Sequence, residues 1–210
     1  MIFQNRQEAG ILLAEKLRKY QSTEAIVYAL PRGGMVVGAE IAKLLTIPLD
    51  AAVVKKIGHP YNPEYAICAV SENGDLVCNE EERTVIGEEW LSNAIAYRKE
   101  EAILKRQSYS KIKKTIPAEG KIAIIVDDGV ATGLTMKAAI KWIKNQKPEK
   151  IVIAVPVVSK EIANELEEEA DEVVSLDVPK RFLGSVGSYY VNFPQVSDDE
   201  VERILSEKYE

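Results

Sequence analysis

The chain has 210 residues, enough for one sizeable core, and its hydrophobic share of 46% is ordinary for a globular protein. A formal net charge of −6 argues against a nucleic-acid-binding surface. No apolar run is long enough to span a membrane, and the start MIFQNRQEAG has neither a basic n-region nor a signal-type apolar stretch. Together these lead to the expectation of a cytoplasmic protein.

Residues 6–20 carry Ala9, Leu12, Leu13, Leu17 and Tyr20 at helical spacing. Residues 24–30 read as a buried strand ending at Pro31-Arg32-Gly33-Gly34, and a helix is predicted over 34–45. A second strand over 48–54 leads into Lys55 and Lys56. Alternation along a strand puts these two lysines on opposite faces, so at most one points into a cleft, and the sequence does not rank them. Residues 58–65, GHPYNPEY, read as a loop. Around Asn73-Gly74 a hairpin is expected. With a two-residue turn, Ala69 pairs with Cys78 and Cys68 with Asn79. The thiols then lie on opposite faces, so no disulfide is expected and both cysteines read as small core residues.

A long charged helix is predicted over 87–113. It is followed by a strand ending at Val126, a helix from about Met136, a strand over 150–157, a helix over 159–169 and a strand over 172–176. Alternating strands and helices imply an α/β fold with a mainly parallel sheet flanked by helices. Ligands of such sheets bind at the carboxyl ends of the strands, where Arg32, Lys55, Lys56, Asp127 and Asp128 all fall. Residues 178–195 break the rhythm with Phe182, Tyr189, Tyr190, Phe193 and several glycines. Ser197 with Glu200 three residues later is a capping box that opens a C-terminal helix. No linker or repeat interrupts the chain. It reads as one domain, with a core over 1–178 and a small hood and terminal helix over 179–210.

The most informative stretch is 122–135, IAIIVDDGVATGLT. An apolar strand stops at two carboxylates, a Gly- and Thr-rich turn follows, and a helix begins. Such a turn aims backbone N–H groups and the positive end of a helix dipole at one point, which suits a phosphate. Gly129 and Gly133 permit close backbone approach, and Thr132 and Thr135 add hydroxyl donors. No Lys follows the second glycine, and the G-x-G-x-x-G spacing is absent, so neither common nucleotide loop applies. The acids would repel a phosphate unless they face something else, and vicinal ribose hydroxyls are the natural partner. The loop is built for a sugar phosphate.

This stretch resembles the signature of the type I phosphoribosyltransferases, which bind 5-phosphoribosyl 1-diphosphate. The resemblance covers residues 24–176. It implies that Asp127 and Asp128 hold the ribose hydroxyls and that Gly129, Val130, Ala131, Thr132, Gly133, Leu134 and Thr135 wrap the 5′-phosphate. Arg32, Gly33 and Gly34 then form the diphosphate loop, often with a cis peptide in this family, and Lys55 or Lys56 adds a cation. It further implies Mg²⁺ held mainly through the substrate, a small nitrogenous acceptor (most simply a nucleobase), and a mobile flap at 58–65. The flap carries His59, the only histidine, which reads either as an exposed side chain or as a participant. Ala131 departs from purine-type members, which carry an Asp there to accept a proton from the base. The hood aromatics read either as a platform for a flat base or as packing of the lid. A homodimer is left open, and no nucleic-acid or membrane partner is expected. The main rival is a non-catalytic regulator that binds the same donor. A receiver domain fits poorly, because its paired acids follow the first strand.

Overall fold

The computed structural model describes residues 1–209. Five strands form a parallel sheet in the order β2 (Leu49–Ala51), β1 (Ala25–Ala29), β6 (Ile122–Val126), β7 (Lys150–Val157) and β8 (Glu172–Asp177). Both faces are covered, so the strands are apolar throughout rather than alternating. Val27, Ile124 and Val152 face α1 (Arg6–Lys16), α2 (Gly33–Leu45) and α7 (Asp198–Ser206). Ile26, Ile125 and Ile153 face α5 (Leu134–Lys144) and α6 (Lys160–Glu169). This is the type I phosphoribosyltransferase fold, a parallel α/β sheet with helices on both sides.

The strand order places the functional region. From β1 the chain crosses through α2 to β2 on one side, and it later returns to β6 on the other side of β1. Strand order therefore reverses between β1 and β6, and the crevice at such a switch point is where ligands bind. The register pairs Ala29 with Val126, and Leu30 N donates to Val126 O at 2.8 Å. Arg32 and Asp127 thus leave neighbouring strand ends together.

Past β2 the structure departs from the expected pattern. The strand breaks at Ala52, and β3 (Val54–His59) joins a separate antiparallel sheet with β4 (Asn62–Ser71) and β5 (Leu76–Cys78). This sheet rests on α4 (Glu88–Ile112) through Ile57, Ile67, Val70 and Leu91. The predicted loop at 58–65 is instead the end of a β-hairpin, with Pro60 and Tyr61 at its turn. Pro60 is tolerated because a turn needs no N–H from it. Gly58 allows the two strands to close, since a Cβ there would lie 2.1 Å from Pro63 O. The remaining elements follow their predicted positions within a few residues, except that a short helix α3 (Glu80–Val85) precedes α4.

The cysteines overturn a second expectation. Cys68 pairs with Cys78 across β4 and β5, the Cα atoms are 4.0 Å apart, and the two form a disulfide. The turn is longer than two residues: Ser71 N donates to Asp75 O, and Ser71 Oγ is bonded to both the carboxylate and the N–H of Asp75. Val70 therefore pairs with Leu76 rather than Val77. A one-residue shift of register moves each side chain to the other face, and that brings the thiols together.

A buried ion cluster joins the two sheets. Arg106 of α4 donates from Nη1 to Asp50 Oδ1 at 3.0 Å, from Nε to Glu72 Oε1 at 3.0 Å, and from Nη2 to Ala51 O. Asp50 Oδ2 accepts from Ile116 N at 2.9 Å. Glu72 Oε2 is buried with no hydrogen-bond partner among the described residues. Burial pushes the Glu72 carboxyl up to about 7, against the pull of Arg106. The folded state thus holds this proton more tightly than the unfolded chain, whose carboxyl has the ordinary value of 4.5. Its contribution is greatest below that value and is lost as pH rises through about 7. Glu72→Gln should remove this loss. Urea unfolding should show the variant gaining stability relative to the parent between about pH 5 and about pH 8. A difference that stays constant over that range would mean that Glu72 is ionised throughout.

Candidate active site

A cavity of about 870 Å³ opens at the switch point. Arg32 and Gly33 line it from the end of β1, Lys55 and Lys56 from β3, and Asp127 and Asp128 from the end of β6. Gly129, Val130, Ala131, Thr132, Gly133 and Thr135 continue the wall into α5. Two residues expected at the site stand apart from it. Leu134 does not reach the wall, and Gly34 is buried behind it. A Cβ at Gly34 would lie 2.9 Å from both Asp127 Cα and Val126 O. At Gly33 a Cβ would lie 1.9 Å from Asp128 Oδ2. The glycines after β1 are thus required for two loops to press together. The Pro31–Arg32 peptide is cis.

Helix ends supply the next feature. Asn5, Asn79, Ser159 and Ser197 cap α1, α3, α6 and α7 with side-chain hydrogen bonds. The N-termini of α2, α4 and α5 have no side-chain cap, and those of α2 and α5 open on the cavity. In α2 Met35 N donates back to Arg32 O at 3.2 Å, and the earlier first-turn N–H groups have no intrahelical partner. Gly133, at φ 77°, is the turn residue that starts α5. Two sets of free amides with two helix dipoles behind them therefore flank one cavity, an arrangement that favours bound anions.

The acid pair sits between them. Asp127 Oδ1 accepts from Asp128 N at 2.8 Å. Burial, and next the Asp128 charge, raise the Asp127 carboxyl well above the ordinary value. Burial raises Asp128 as well, opposed first by Arg6. Arg6 Nε donates to Asp128 Oδ2 at 2.7 Å, and both side chains are largely buried. Arg6 also donates from Nη1 to Pro194 O at 2.7 Å, and its guanidinium lies 3.7 Å from the Phe193 ring centroid. Such a planar cation, paired on its edge and stacked on its face, is the use that Arg serves and Lys does not.

The lysines do not divide as alternation suggested, because both line the cavity. Lys56 bears on Asp127 and Asp128, and Lys55 on Asp198 at the start of α7. Their strand belongs to the antiparallel sheet rather than to the parallel one, and both positions reach the wall. His59 lies outside the cavity at the hairpin tip, where Nδ1 accepts from Tyr61 N at 3.2 Å. Of the hood aromatics, Tyr189 and Tyr190 are buried against Phe3, and only Phe193 reaches the cavity wall. Tyr190 Oη donates to Asp128 O at 2.6 Å. These tyrosines pack the lid.

The wall also holds charged residues that the sequence does not point to, Arg6, Glu101, Lys105 and Asp198. Arg6 looks like any polar residue of an amphipathic helix. It is brought in because the N-terminal strand pairs with the hood, with Phe3 N donating to Tyr189 O and Val191 N to Phe3 O, each at 2.8 Å.

A parallel α/β sheet with an acid pair and two uncapped helix ends at its switch point is the architecture of the phosphoribosyltransferase class. The sequence pattern of the phosphoribosyl transferase domain matches residues 1–191, and the chain belongs to that family. A protein of Mycobacterium tuberculosis (strain CDC 1551 / Oshkosh), MT0597, provisionally named a phosphoribosyl transferase, is 40% identical over 208 residues. That match covers 97% of this chain and 46% of the relative, so the chain spans about half the length of the curated relatives it matches. Among solved structures, TT1426 from Thermus thermophilus superposes with a TM-score of 0.83 at 39% identity, covering 99% of each chain.

Arg6→Met should leave the Asp128 carboxylate buried without its partner and cut the hood from the acid loop. Removing one member of a buried ion pair costs about 3 kcal/mol, and urea unfolding should show a loss of that order. Arg6→Lys, which keeps the charge without the fork, should fall between. A loss under about 1 kcal/mol for Arg6→Met would place this pair among exposed ones.

Proposed function

We propose that the chain binds 5-phosphoribosyl 1-diphosphate in this cavity and transfers the phosphoribosyl group to a small nitrogen nucleophile, most simply a nucleobase, releasing diphosphate. The observation that carries this reading is the pairing of two uncapped helix N-termini with an acid pair between them. A donor with a phosphate at one end, a diphosphate at the other and a diol between has that same order of charges. The amides of residues 129–135 take the 5′-phosphate, and Asp127 and Asp128 accept from the ribose hydroxyls. Arg32, the Gly33 amide, Lys55 and Lys56 face the diphosphate.

In the reaction the bond from ribose C1 to the diphosphate oxygen breaks with its electron pair leaving on diphosphate. The acceptor nitrogen forms the new bond to C1 and gives up its proton. Charge grows on the leaving group, and fixed cations and amides aimed there lower the barrier. The protein needs no nucleophile of its own.

The family implies Mg²⁺, and the residues present fit it. Arg6 pairs with Asp128 alone, and the buried Asp127 carboxyl accepts only from Asp128 N among the described residues, so the pair keeps unused oxygen donors; burial and the Asp128 charge favour a proton on Asp127, which a bound cation would displace. Carboxylate oxygens are the hard ligands Mg²⁺ prefers, together with substrate oxygens. Asp127 and Asp128 would hold the ion largely through the donor, and it would neutralise charge on the departing diphosphate.

The acceptor would sit beside Ala131, with Val130, Val186 and Phe193 near it. This wall offers no carboxylate at position 131 to take a proton from a purine imidazole. The reading places the protein in the cytoplasm, where phosphoribosyl donors are used; no helix among the described residues is long and apolar enough to cross a membrane. A donor-binding regulator without transfer activity is the second reading.

Two measurements test this. Asp127→Asn with Asp128→Asn should weaken donor binding at least tenfold, about 1.4 kcal/mol, by calorimetry with Mg²⁺ present; an unchanged affinity rejects the ribose assignment. Diphosphate release, followed across a panel of nucleobases and small amines, should favour pyrimidine-like or already deprotonated nitrogens over hypoxanthine and guanine. If either purine outperforms every other acceptor, position 131 does not govern the choice, and binding of the donor without release in any arm favours the regulator.

A further inference from the structure

We propose that Lys105 of α4 is a further cation of the diphosphate subsite, and that Asp198 of α7 occupies this subsite as an internal anion that a diphosphate-bearing ligand must displace. The inference rests on the proposed use of a diphosphate donor.

Asp198 stands in the cavity wall with Arg32, Lys55 and Lys105 around it. Its Oδ1 lies 2.9 Å from Lys105 Nζ and 4.0 Å from Arg32 Nη1. Lys105 holds the Asp198 carboxyl below the usual carboxylate range, with smaller help from Arg32 and Lys55. These cations come from three separate elements: the loop after β1, the strand β3 and the middle of α4. Nothing in local secondary structure requires them to converge. In the ligand-free protein the anion they converge on belongs to the chain itself.

The contact is built to be broken. The Asp198 side chain is 48% exposed and Arg32 40% exposed, and pairs this open contribute little to stability. Arg32 offers five N–H donors and reaches Asp198 only at the limit of an ion pair. A ligand with three or more negative charges has a far larger claim on the same cations and repels the carboxylate. Beneath the contact, the Tyr109 hydroxyl is buried without a hydrogen-bond partner, and Asp198 is the charge that bears on it most. An unpaired buried hydroxyl costs free energy unless a partner arrives. Release of Asp198 would open a position beside both Lys105 and this hydroxyl. Asp198 also opens α7, which packs on α2 and α4, so its release couples the ligand to the C-terminal helix.

The test uses calorimetry with Mg²⁺ on the full chain and two probes: inorganic diphosphate, and ribose 5-phosphate, which would engage only the 129–135 loop and the acid pair. Asp198→Asn keeps the shape and removes the charge. It should tighten diphosphate about threefold to tenfold and leave ribose 5-phosphate unchanged. Lys105→Met should weaken diphosphate about tenfold, again without affecting ribose 5-phosphate. A general loss of folding cannot produce tighter binding, so the first variant separates an anion lock from a structural contact. Diphosphate affinity that is equal or weaker in Asp198→Asn overturns the inference, as do equal shifts for both probes. Ribose 5-phosphate binding with no diphosphate binding by either the parent or Asp198→Asn overturns the inference and leaves the sugar-phosphate loop standing. Binding of neither probe by any protein overturns the donor reading and the inference with it.

Discussion

Two carboxylates placed side by side at the buried end of a parallel strand are the constraint around which this protein is arranged. Adjacent charges of one sign in a water-poor crevice repel each other and lose hydration, so they persist only where cations or donors meet them. Arg6 meets Asp128, and the guanidinium then fixes what lies around it: the Phe193 ring on its face and the Pro194 carbonyl at its tip. Gly33 has no side chain because the Asp128 carboxylate fills that space. The N-terminal segment bridges the hood at Phe3 and Tyr190, and that contact brings Arg6 and Phe193 together. Asp127 has no comparable protein partner, and burial and the Asp128 charge raise its carboxyl well above the ordinary value.

The same economy of charge runs across the cavity. Five cations, Arg6, Arg32, Lys55, Lys56 and Lys105, line its wall, with Asp198 against one group and the acid pair against another. Free helix amides add positive potential without side chains. The wall therefore carries both signs, with Glu101, Asp127, Asp128 and Asp198 set among the cations. The hood buries its tyrosines and brings the apolar side chains of Val186 and Phe193 to this wall.

The second sheet shows how a small local difference reaches the site. Ser71 and Asp75 lengthen one turn, the register moves by one residue, and the cysteines share a face. The neighbouring Glu72 then enters the buried cluster with Arg106 and Asp50, which ties the hairpin to α4 and to the end of β2. From the same sheet β3 brings both Lys55 and Lys56 to the cavity wall.

Much of this was legible in one dimension. Apolar runs and helical spacing located the five parallel strands and their helices, because both faces of the sheet are buried and the patterns are long. The acid pair and its Gly- and Thr-rich turn were legible because strand, loop and helix are contiguous, so a dozen residues hold the whole turn from β6 into α5. What the chain order could not reveal were contacts between distant segments. Arg6 reaches Asp128 across 122 residues, and Lys105 reaches Asp198 from another helix. The face taken by each cysteine depended on a turn length that differs by a single residue, and the reach of both lysines on the separate sheet that holds β3. Short-range periodicity records which residues are buried together along one element. Which charges meet is decided by packing between elements, and only the folded chain brings those together.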